Sequence, residues 1–307
     1  MEGVNTMSQT AKAAQPSRSG VKSGLSARRR AYDSGLRGLV WLCAGLTCAL
    51  LLFLIGYICY RGLPHLSWEF LTTQESLLRG TLGIRPAIYN TLYVIGVTLV
   101  IALPLGVGAA VYLTEYATNH RLVTGIEFAT ETLSGIPSIL YALVGYLAFS
   151  MTLGLGYSLL AASLTLAMMN LPTIIRTTQE SLKTVPQGYR EGALGLGSGK
   201  WHMIRTIVLP GSIDGIVTGC ILAVGRIIGE SAVLLYVGGM GNSMNDFFAS
   251  VDNFTHSSGA TLTVQLYVFA KERAMMDPAF AVAVVLLVLS LVINLAAKLA
   301  GRKLKQK

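Results

Sequence analysis

Long apolar runs separated by short polar segments dominate the chain, and each run approaches the ~20 residues that a helix needs to cross a bilayer. Six such runs predict membrane-spanning helices, at about residues 39–60, 86–113, 125–151, 157–175, 213–237 and 279–297. The first run is uncharged over 22 residues. Because the apolar core of a cleaved signal peptide has only ~7–15 residues, we interpret this run as a retained span.

The boundary between the third and fourth runs depends on glycine. No charged residue occurs between Glu131 and Arg176, and this stretch is too long for one spanning helix. Gly154 and Gly156 are predicted to form the turn that divides it. Three spans are expected to contain a proline whose freed carbonyl is satisfied by neighbouring helices or water: Pro104, Pro137 and Pro172.

The composition is that of an integral membrane protein. Hydrophobic residues make up 52% of the chain and charged residues 13%, with a mean hydropathy of +0.58. Soluble domains average about 25% charged residues. The net charge of +9 would suit a nucleic-acid partner, but the basic residues cluster beside the spans, so we expect no nucleic acid.

The basic residues also predict the orientation of the chain. The side that carries both ends and the segment 176–212 holds 18 Lys and Arg residues, whereas the opposite side holds five. Positive residues favour the cytoplasmic side, so both termini and this segment are predicted to be cytoplasmic. Residues 1–37 lack hydrophobic periodicity and are predicted to form a disordered basic tail. The transmembrane domain then covers 38–300, and 301–307 form a second basic tail.

The cysteines and histidines give no metal-ligand or redox spacing. The cysteines lie within or beside apolar spans without a C-x-x-C pair, and we interpret them as packing residues: Cys43, Cys48, Cys59 and Cys220. Glu127 and Glu131, at the start of the third span, are interpreted as interfacial residues outside any substrate site. We therefore expect no metal and no cofactor bound by this chain.

The polar segment from Pro186 to Pro210 contains a spaced pattern: Glu191, Gly192, Ala193, Gly197, Ile207, Leu209 and Pro210. We expect a short helix at 187–196, with Pro186 in its first position and Thr184 as its cap. Gly197 permits a sharp bend. A second short helix would end at Pro210 and carry one apolar face, formed by Trp201, Ile204, Ile207 and Val208.

The same segment contains glycines and a lysine that suggest a phosphate-binding loop, but it lacks residues that this motif requires. These residues are Gly195, Gly197, Gly199 and Lys200. The G-x-x-x-x-G-K-[ST] motif needs glycine where Leu194 stands and Ser or Thr where Trp201 stands. No ATP site is therefore expected in this chain, and ATP would be used by another subunit.

The spaced pattern resembles the EAA loop (E-A-A-x3-G-x9-I-x-L-P) of importer permeases driven by ATP-binding-cassette (ABC) ATPases, with Gly192 in place of the usual alanine. Five segments resemble the A-type permeases of phosphate ABC importers: residues 83–93, 111–117, 133–146, 175–197 and 215–236. The C-type phosphate permease, and permeases for sulfate or molybdate, remain alternatives. The resemblance implies an all-α, polytopic fold with six transmembrane helices, the type I (MetI-like) importer permease fold.

The resemblance also implies a complex in the bacterial cytoplasmic membrane. A second permease, of the C-type, would complete the phosphate pathway, and a dimeric cytoplasmic ATPase would bind the EAA loops. A binding protein outside the cytoplasm would deliver phosphate, and a phosphate-signalling regulator is a further partner. In this assignment the chain is a transport subunit and not an enzyme.

Two ionisable residues lie within the fifth predicted span. Arg226 and Glu230 are four residues apart, which predicts a shared helical face. Such charges cost at least ~2.5 kcal/mol each at the bilayer centre and are commonly functional. We interpret them as lining the anion pathway; a purely structural ion pair is the alternative. The same span holds two G-x-x-x-G pairs: Gly215 with Gly219, and Gly225 with Gly229. We interpret them as sites of close helix packing against a partner permease; a chance match, since glycine is common in spans, is the alternative.

Two other functional classes, an intramembrane enzyme and a passive channel, fit the sequence less well. An intramembrane hydrolase would need paired carboxylates or a Ser-His pair at membrane depth, whereas the spans contain one arginine, one glutamate and no histidine at that depth. A passive channel would not need the EAA spacing. Co-purification with a cytoplasmic ATPase separates the transport subunit from both alternatives.

Overall fold

The computed structural model describes residues 27–76, 81–241, 245, 247 and 249–305. The chain divides into two compact units, Met1–Ile55 and Gly56–Lys307. Helix α1 (Ala27–Gly62) supplies the described part of the first unit and continues into the second. The predicted tail at 1–37 lies outside the described residues up to residue 26. From Ala27 to Arg37 the chain is helical, so that part of the prediction is wrong. A formed span nucleates further turns, each of which adds one hydrogen bond.

The second unit is almost entirely helical. Beyond α1 its helices are α2 (Trp68–Thr72), α3 (Arg85–Val111), α4 (His120–Ser134), α5 (Ser138–Gly145), α6 (Leu159–Thr184), α7 (Gln187–Gly195), α8 (Lys200–Met203), α9 (Leu209–Gly229), α10 (Val251–His256), α11 (Leu262–Tyr267) and α12 (Met276–Lys305). Strands β1 (Gln74–Ser76) and β2 (Thr81–Ile84) form an antiparallel hairpin. A 3₁₀ turn covers Leu63–His65, and π-helical turns cover Tyr112–Tyr116, Tyr146–Thr152, Ile204–Val208, Leu234–Gly238 and Val268–Glu272.

Helix α6 lies at the centre of this unit and packs most extensively against α3 and α9. Ser158 caps its first turn by accepting a hydrogen bond from the Ala161 amide at 3.1 Å. Gly145 of α5 lies so close to α6 that a Cβ atom there would stand 2.0 Å from Thr165 Oγ1. The largest apolar core combines side chains of α3, α5, α6 and α9 with the segment after α9.

Within the described chain, five helical segments are long and apolar enough to cross a membrane, and the bent pair α4–α5 would make a sixth. The two helices of that pair meet at 101°. The third predicted span is therefore not one straight helix. Pro137 stands at the start of α5 and not inside a helix, because a proline restricts the residue before it to extended conformations. The predicted turn at Gly154 and Gly156 is confirmed, with φ values of +71° and +60°.

The helix at the fifth predicted span also has other bounds than the sequence predicts. This helix runs continuously from Lys200 to Gly229, and the chain leaves the helical conformation at Glu230 before the π-helical turn at Leu234–Gly238. The following segment folds back onto α3. Asn90 Nδ2 donates to the Ala260 carbonyl at 2.9 Å, and Tyr93 Oη donates to the Phe254 carbonyl at 2.7 Å. Sequence periodicity did not predict these contacts, since α10 and α11 have six residues each.

Candidate functional site

The polar segment between α6 and α9 forms an exposed projection built on α7. Pro186 stands in the capping position before α7, with ψ of 138°, and no side chain caps the helix. The predicted cap at Thr184 is wrong, because Thr184 is the last residue of α6 and its hydroxyl donates to the Ser181 carbonyl at 2.7 Å. Pro186 accordingly does not occupy the first helical position.

Gly197 ends α7 with the bend that the sequence predicts. Its φ is +82°, a conformation that glycine adopts at little cost. The Gly197 amide donates to the Leu194 carbonyl at 3.0 Å, and the Ser198 amide donates to the Ala193 carbonyl at 3.1 Å. These two bonds form a Schellman motif, which satisfies the last carbonyls of the helix. Gly197 is thus a conformational requirement of the loop.

The second helical segment does not end at Pro210. Helix α8 passes through the π-helical turn Ile204–Val208 directly into α9, and Pro210 lies in the first turn of α9. A proline is tolerated there because its missing amide has no intrahelical partner at that position. The predicted apolar face is correct for Ile204 and Val208, which are buried, but Trp201 is 60% exposed.

A buried ion pair holds α7 against the rest of the molecule. Arg190 Nε and Nη2 lie 3.1 and 3.0 Å from Glu115 Oε1, and the two side chains are only 12% and 7% exposed. Arg190 also donates to the Val185 and Leu182 carbonyls, at 2.5 and 2.8 Å. No pattern in the sequence indicates this pair, because its members are 75 residues apart.

The other residues of the spaced pattern divide between surface and core. Glu191, Gly192 and Pro210 are exposed, and Glu191 caps no helix. Ala193 and Leu209 are half-buried and pack against an apolar cluster at the base of the loop, which includes Val111, Leu182, Val185, Ile204 and Val208. Ile207 is also half-buried. Large apolar side chains remain exposed on the projection: Tyr189, Leu194, Leu196 and Trp201. Leu196 is the extreme case, at 91% exposure.

Charged side chains join α4 to α6 beside the loop. Arg176 contacts Glu131 at 3.4 Å and Glu180 at 3.1 Å, and Lys183 contacts Glu127 at 3.5 Å. These residues line a cavity of about 410 Å³. All five side chains are at least 40% exposed, so each pair contributes little to stability.

The two charged residues of the fifth predicted span do not lie in the same helix. Arg226 lies in the last turn of α9, but Glu230 has φ −80° and ψ 125° and is not helical. The predicted shared helical face is therefore wrong. Glu230 Oε1 accepts a hydrogen bond from the Ala232 amide at 3.0 Å, and these two described residues form no ion pair with each other. Arg226 is half-buried.

The two glycine pairs of α9 have different surroundings. A Cβ atom at Gly215 would lie 2.3 Å from Ser181 Cβ, and one at Gly219 would lie 2.3 Å from Thr177 Oγ1. This pair therefore packs against α6 of the same chain, and the prediction of a partner contact is wrong for it. Gly225 and Gly229 have open space where a Cβ atom would stand.

Among the residues that the structure describes, no three His, Cys, Asp or Glu side chains are grouped to hold a metal ion. The candidate site thus consists of an exposed, internally braced loop and a half-buried arginine in the helix that follows it.

Comparison with solved structures relates this architecture to ABC importers. A bacterial ABC transporter that imports the acidic polysaccharide alginate superposes with a TM-score of 0.62, at 16% identity, over 89% of this chain and 99% of that chain. The MetNI methionine ABC transporter superposes with a TM-score of 0.54, at 20% identity, over 74% of this chain and 95% of that chain. At these identities the comparison shows the fold alone, the type I importer permease fold that the sequence predicts.

Sequence comparison is more specific. The probable ABC transporter permease protein YqgI of Bacillus subtilis is 34% identical over 91% of this chain and 98% of its own length. The phosphate transport system permease protein PstA 1 of Mycobacterium tuberculosis is 33% identical over 92% of this chain and 93% of its own length. Residues 102–306 match the family of binding-protein-dependent transport system inner membrane components. With the loop, the spans and these relatives together, the chain belongs to that family of multi-pass ABC importer permeases.

Proposed function

We propose that this chain is the A-type permease subunit of an ATP-driven phosphate importer. It forms half of the translocation pathway and couples that pathway to a cytoplasmic ATPase through the loop of α7 and α8. The observation that carries the proposal is the exposed apolar surface of a loop whose own position is fixed by the buried Arg190–Glu115 pair. A passive channel would not need an exposed apolar surface on this loop, whereas a docked ATPase subunit would cover it.

Phosphate is the proposed substrate for two reasons. Relatives named as phosphate transport permeases match this chain at about one third identity over most of its length. Arg226 is half-buried in a span, and no ion pair joins it to a carboxylate of the residues that the structure describes, so its guanidinium can offer donors to an oxyanion. Sulfate and molybdate have similar donor requirements and are the alternatives that the experiment must separate.

The proposed complex contains a second permease of the C-type, a dimeric ABC ATPase, and an extracytoplasmic phosphate-binding protein. A phosphate-signalling regulator is a further candidate partner. ATP is hydrolysed by the ATPase, and this chain binds no cofactor of its own. The charge distribution supports an orientation in which both termini and the loop face the cytoplasm of a bacterial inner membrane.

The test is reconstitution of the intact complex in proteoliposomes with labelled phosphate. ATP-dependent uptake that excess unlabelled phosphate abolishes, and that sulfate and molybdate leave unchanged, is the expected result. Equal competition by sulfate or molybdate would reassign the substrate. Uptake that proceeds at the same rate without ATP would favour the passive channel.

A further inference from the structure

The Arg190 guanidinium joins three separate elements. It belongs to α7, and it contacts Glu115 in the π-helical turn that ends the second span. It also contacts the carbonyls of Leu182 and Val185, at the end of α6. The Leu182 carbonyl also accepts from the Val185 amide at 3.3 Å, so Arg190 adds a second donor there and a donor to the Val185 carbonyl just after the helix. One side chain thereby connects the loop to two spans.

Helix α7 has few other attachments to the body of the molecule. Seven of its nine residues are exposed, and the exceptions are Arg190 and Ala193. Ala193 contributes a single methyl group to the apolar cluster at the base of the loop. The same cluster contains Val111, Leu182 and Val185 from the elements that Arg190 joins. Apolar packing of a methyl group is non-directional, whereas several short hydrogen bonds fix both position and orientation.

The pair differs from the other ion pairs near the loop in its burial. Arg176 and Glu131 are 63% and 71% exposed, so water screens their attraction. Arg190 and Glu115 are 12% and 7% exposed, and loss of either partner would leave the other charge buried and uncompensated. The Arg190–Glu115 pair therefore resists separation when α7 is displaced, which the exposed pair does not.

We propose that the Arg190–Glu115 pair transmits displacement of α7 to the second and fourth spans, so that Arg190 is a positioning residue for transport. The inference rests on the proposed function, since α7 moves only if an ATPase acts on it. The docking surface lies elsewhere on the loop, on exposed side chains such as Leu196 and Trp201. Removal of the pair should therefore leave the ATPase bound but disconnect its cycle from the spans.

The experiment measures phosphate transported per ATP hydrolysed by the complete complex in proteoliposomes. The variants are Glu115→Gln, Arg190→Gln and Arg190→Lys, and the matched control is Arg176→Gln in the exposed pair. We expect both glutamine variants to retain the ATPase and hydrolyse ATP, with the transport ratio reduced by about tenfold or more because one buried charge loses its partner. Arg190→Lys keeps the charge but has fewer hydrogen-bond donors, so its transport ratio should lie between those of the glutamine variants and the wild type. The control should match the wild type.

Three outcomes are distinguishable. An unchanged ratio in the assembled glutamine variants would overturn the inference. Loss of the ATPase from every variant, including Arg190→Lys, would assign the pair to docking alone and would overturn it as well. A wild-type complex that does not couple phosphate uptake to ATP would instead contradict the proposed function, and this result is visible before any variant is tested.

Discussion

Gly219 lies directly against Thr177, and a Cβ atom at residue 219 would stand 2.3 Å from the threonine Oγ1. One helical turn earlier, Gly215 approaches Ser181 equally closely. The two contacts bring α9 against α6, with the Ser181 hydroxyl donating to the Ser212 carbonyl at 2.8 Å. The helix that follows the loop of α7 and α8 is thus fixed against the helix that precedes it.

Gly219→Val should destabilise the subunit. The added side chain meets Thr177 in a close helix contact, and overpacking of this kind typically costs about 1–3 kcal/mol. We expect a lower thermal unfolding temperature of the purified complex in detergent. Gly188→Val is the control, since Gly188 is exposed and has open space around it. Equal unfolding temperatures for the Gly219→Val complex and the wild type would contradict the close packing.

Gly225→Val should act on assembly and not on the fold of the chain. No atom of the described residues lies within 4 Å of a Cβ atom at residue 225, so the substitution meets no clash with them. If the surface at Gly225 and Gly229 packs against a second permease, the bulkier side chain separates the two helices. We expect normal membrane insertion with reduced co-purification of the second permease. Full co-purification would remove this surface from the interface.

Gly197 substitutions should rank by their tolerance of positive φ. In the part of the chain that the structure describes, no atom lies within 4 Å of a Cβ atom at Gly197, so the residue is restricted by its φ of +82° and not by crowding. Asparagine adopts this region more readily than β-branched residues. We expect Gly197→Asn to retain the ATPase better than Gly197→Val. Gly197→Asp adds a charge at the docking surface and should also weaken retention. Full retention by Gly197→Val and Gly197→Asp, with normal uptake, would exclude a role of this bend in docking.

Arg226→Gln should reduce phosphate uptake by about tenfold or more, because charged hydrogen bonds to an oxyanion are roughly twice as strong as neutral ones. Assembly and ATP hydrolysis should persist, since within the described part of the chain no carboxylate is paired with Arg226 and left uncompensated. Glu230→Gln retains an acceptor for the Ala232 amide and should have a smaller effect. Uptake near wild type in the assembled Arg226→Gln variant would refute the pathway role.

The orientation can be tested by cysteine labelling after replacement of the four native cysteines. Val251→Cys places a thiol on α10, where the side chain is 81% exposed, and Lys303→Cys places one at an exposed position in the last turns of α12. A membrane-impermeant maleimide should label residue 251 in intact spheroplasts and residue 303 only after permeabilisation. Labelling in the reverse order would overturn the predicted orientation.

Sequence alone determined the features that depend on local chemistry. Apolar runs of membrane length predict spans wherever they occur, because an unpaired backbone cannot remain in hydrocarbon. The bend at Gly197 was predictable because only a few residues accept positive φ, and the structure confirms it. The EAA spacing pointed to the importer permeases, to which the chain belongs.

Only the tertiary structure decided which distant residues meet. The Arg190–Glu115 pair, the Gly219–Thr177 contact and the return of residues 254–262 onto α3 each join positions far apart in sequence. It also decided where helices break: near Pro137 and at Glu230, but not at Pro210. Hydrophobic periodicity describes one helix or strand at a time. A helix break or a buried ion pair depends instead on the packing, the burial and the hydrogen-bond partners that neighbouring elements supply.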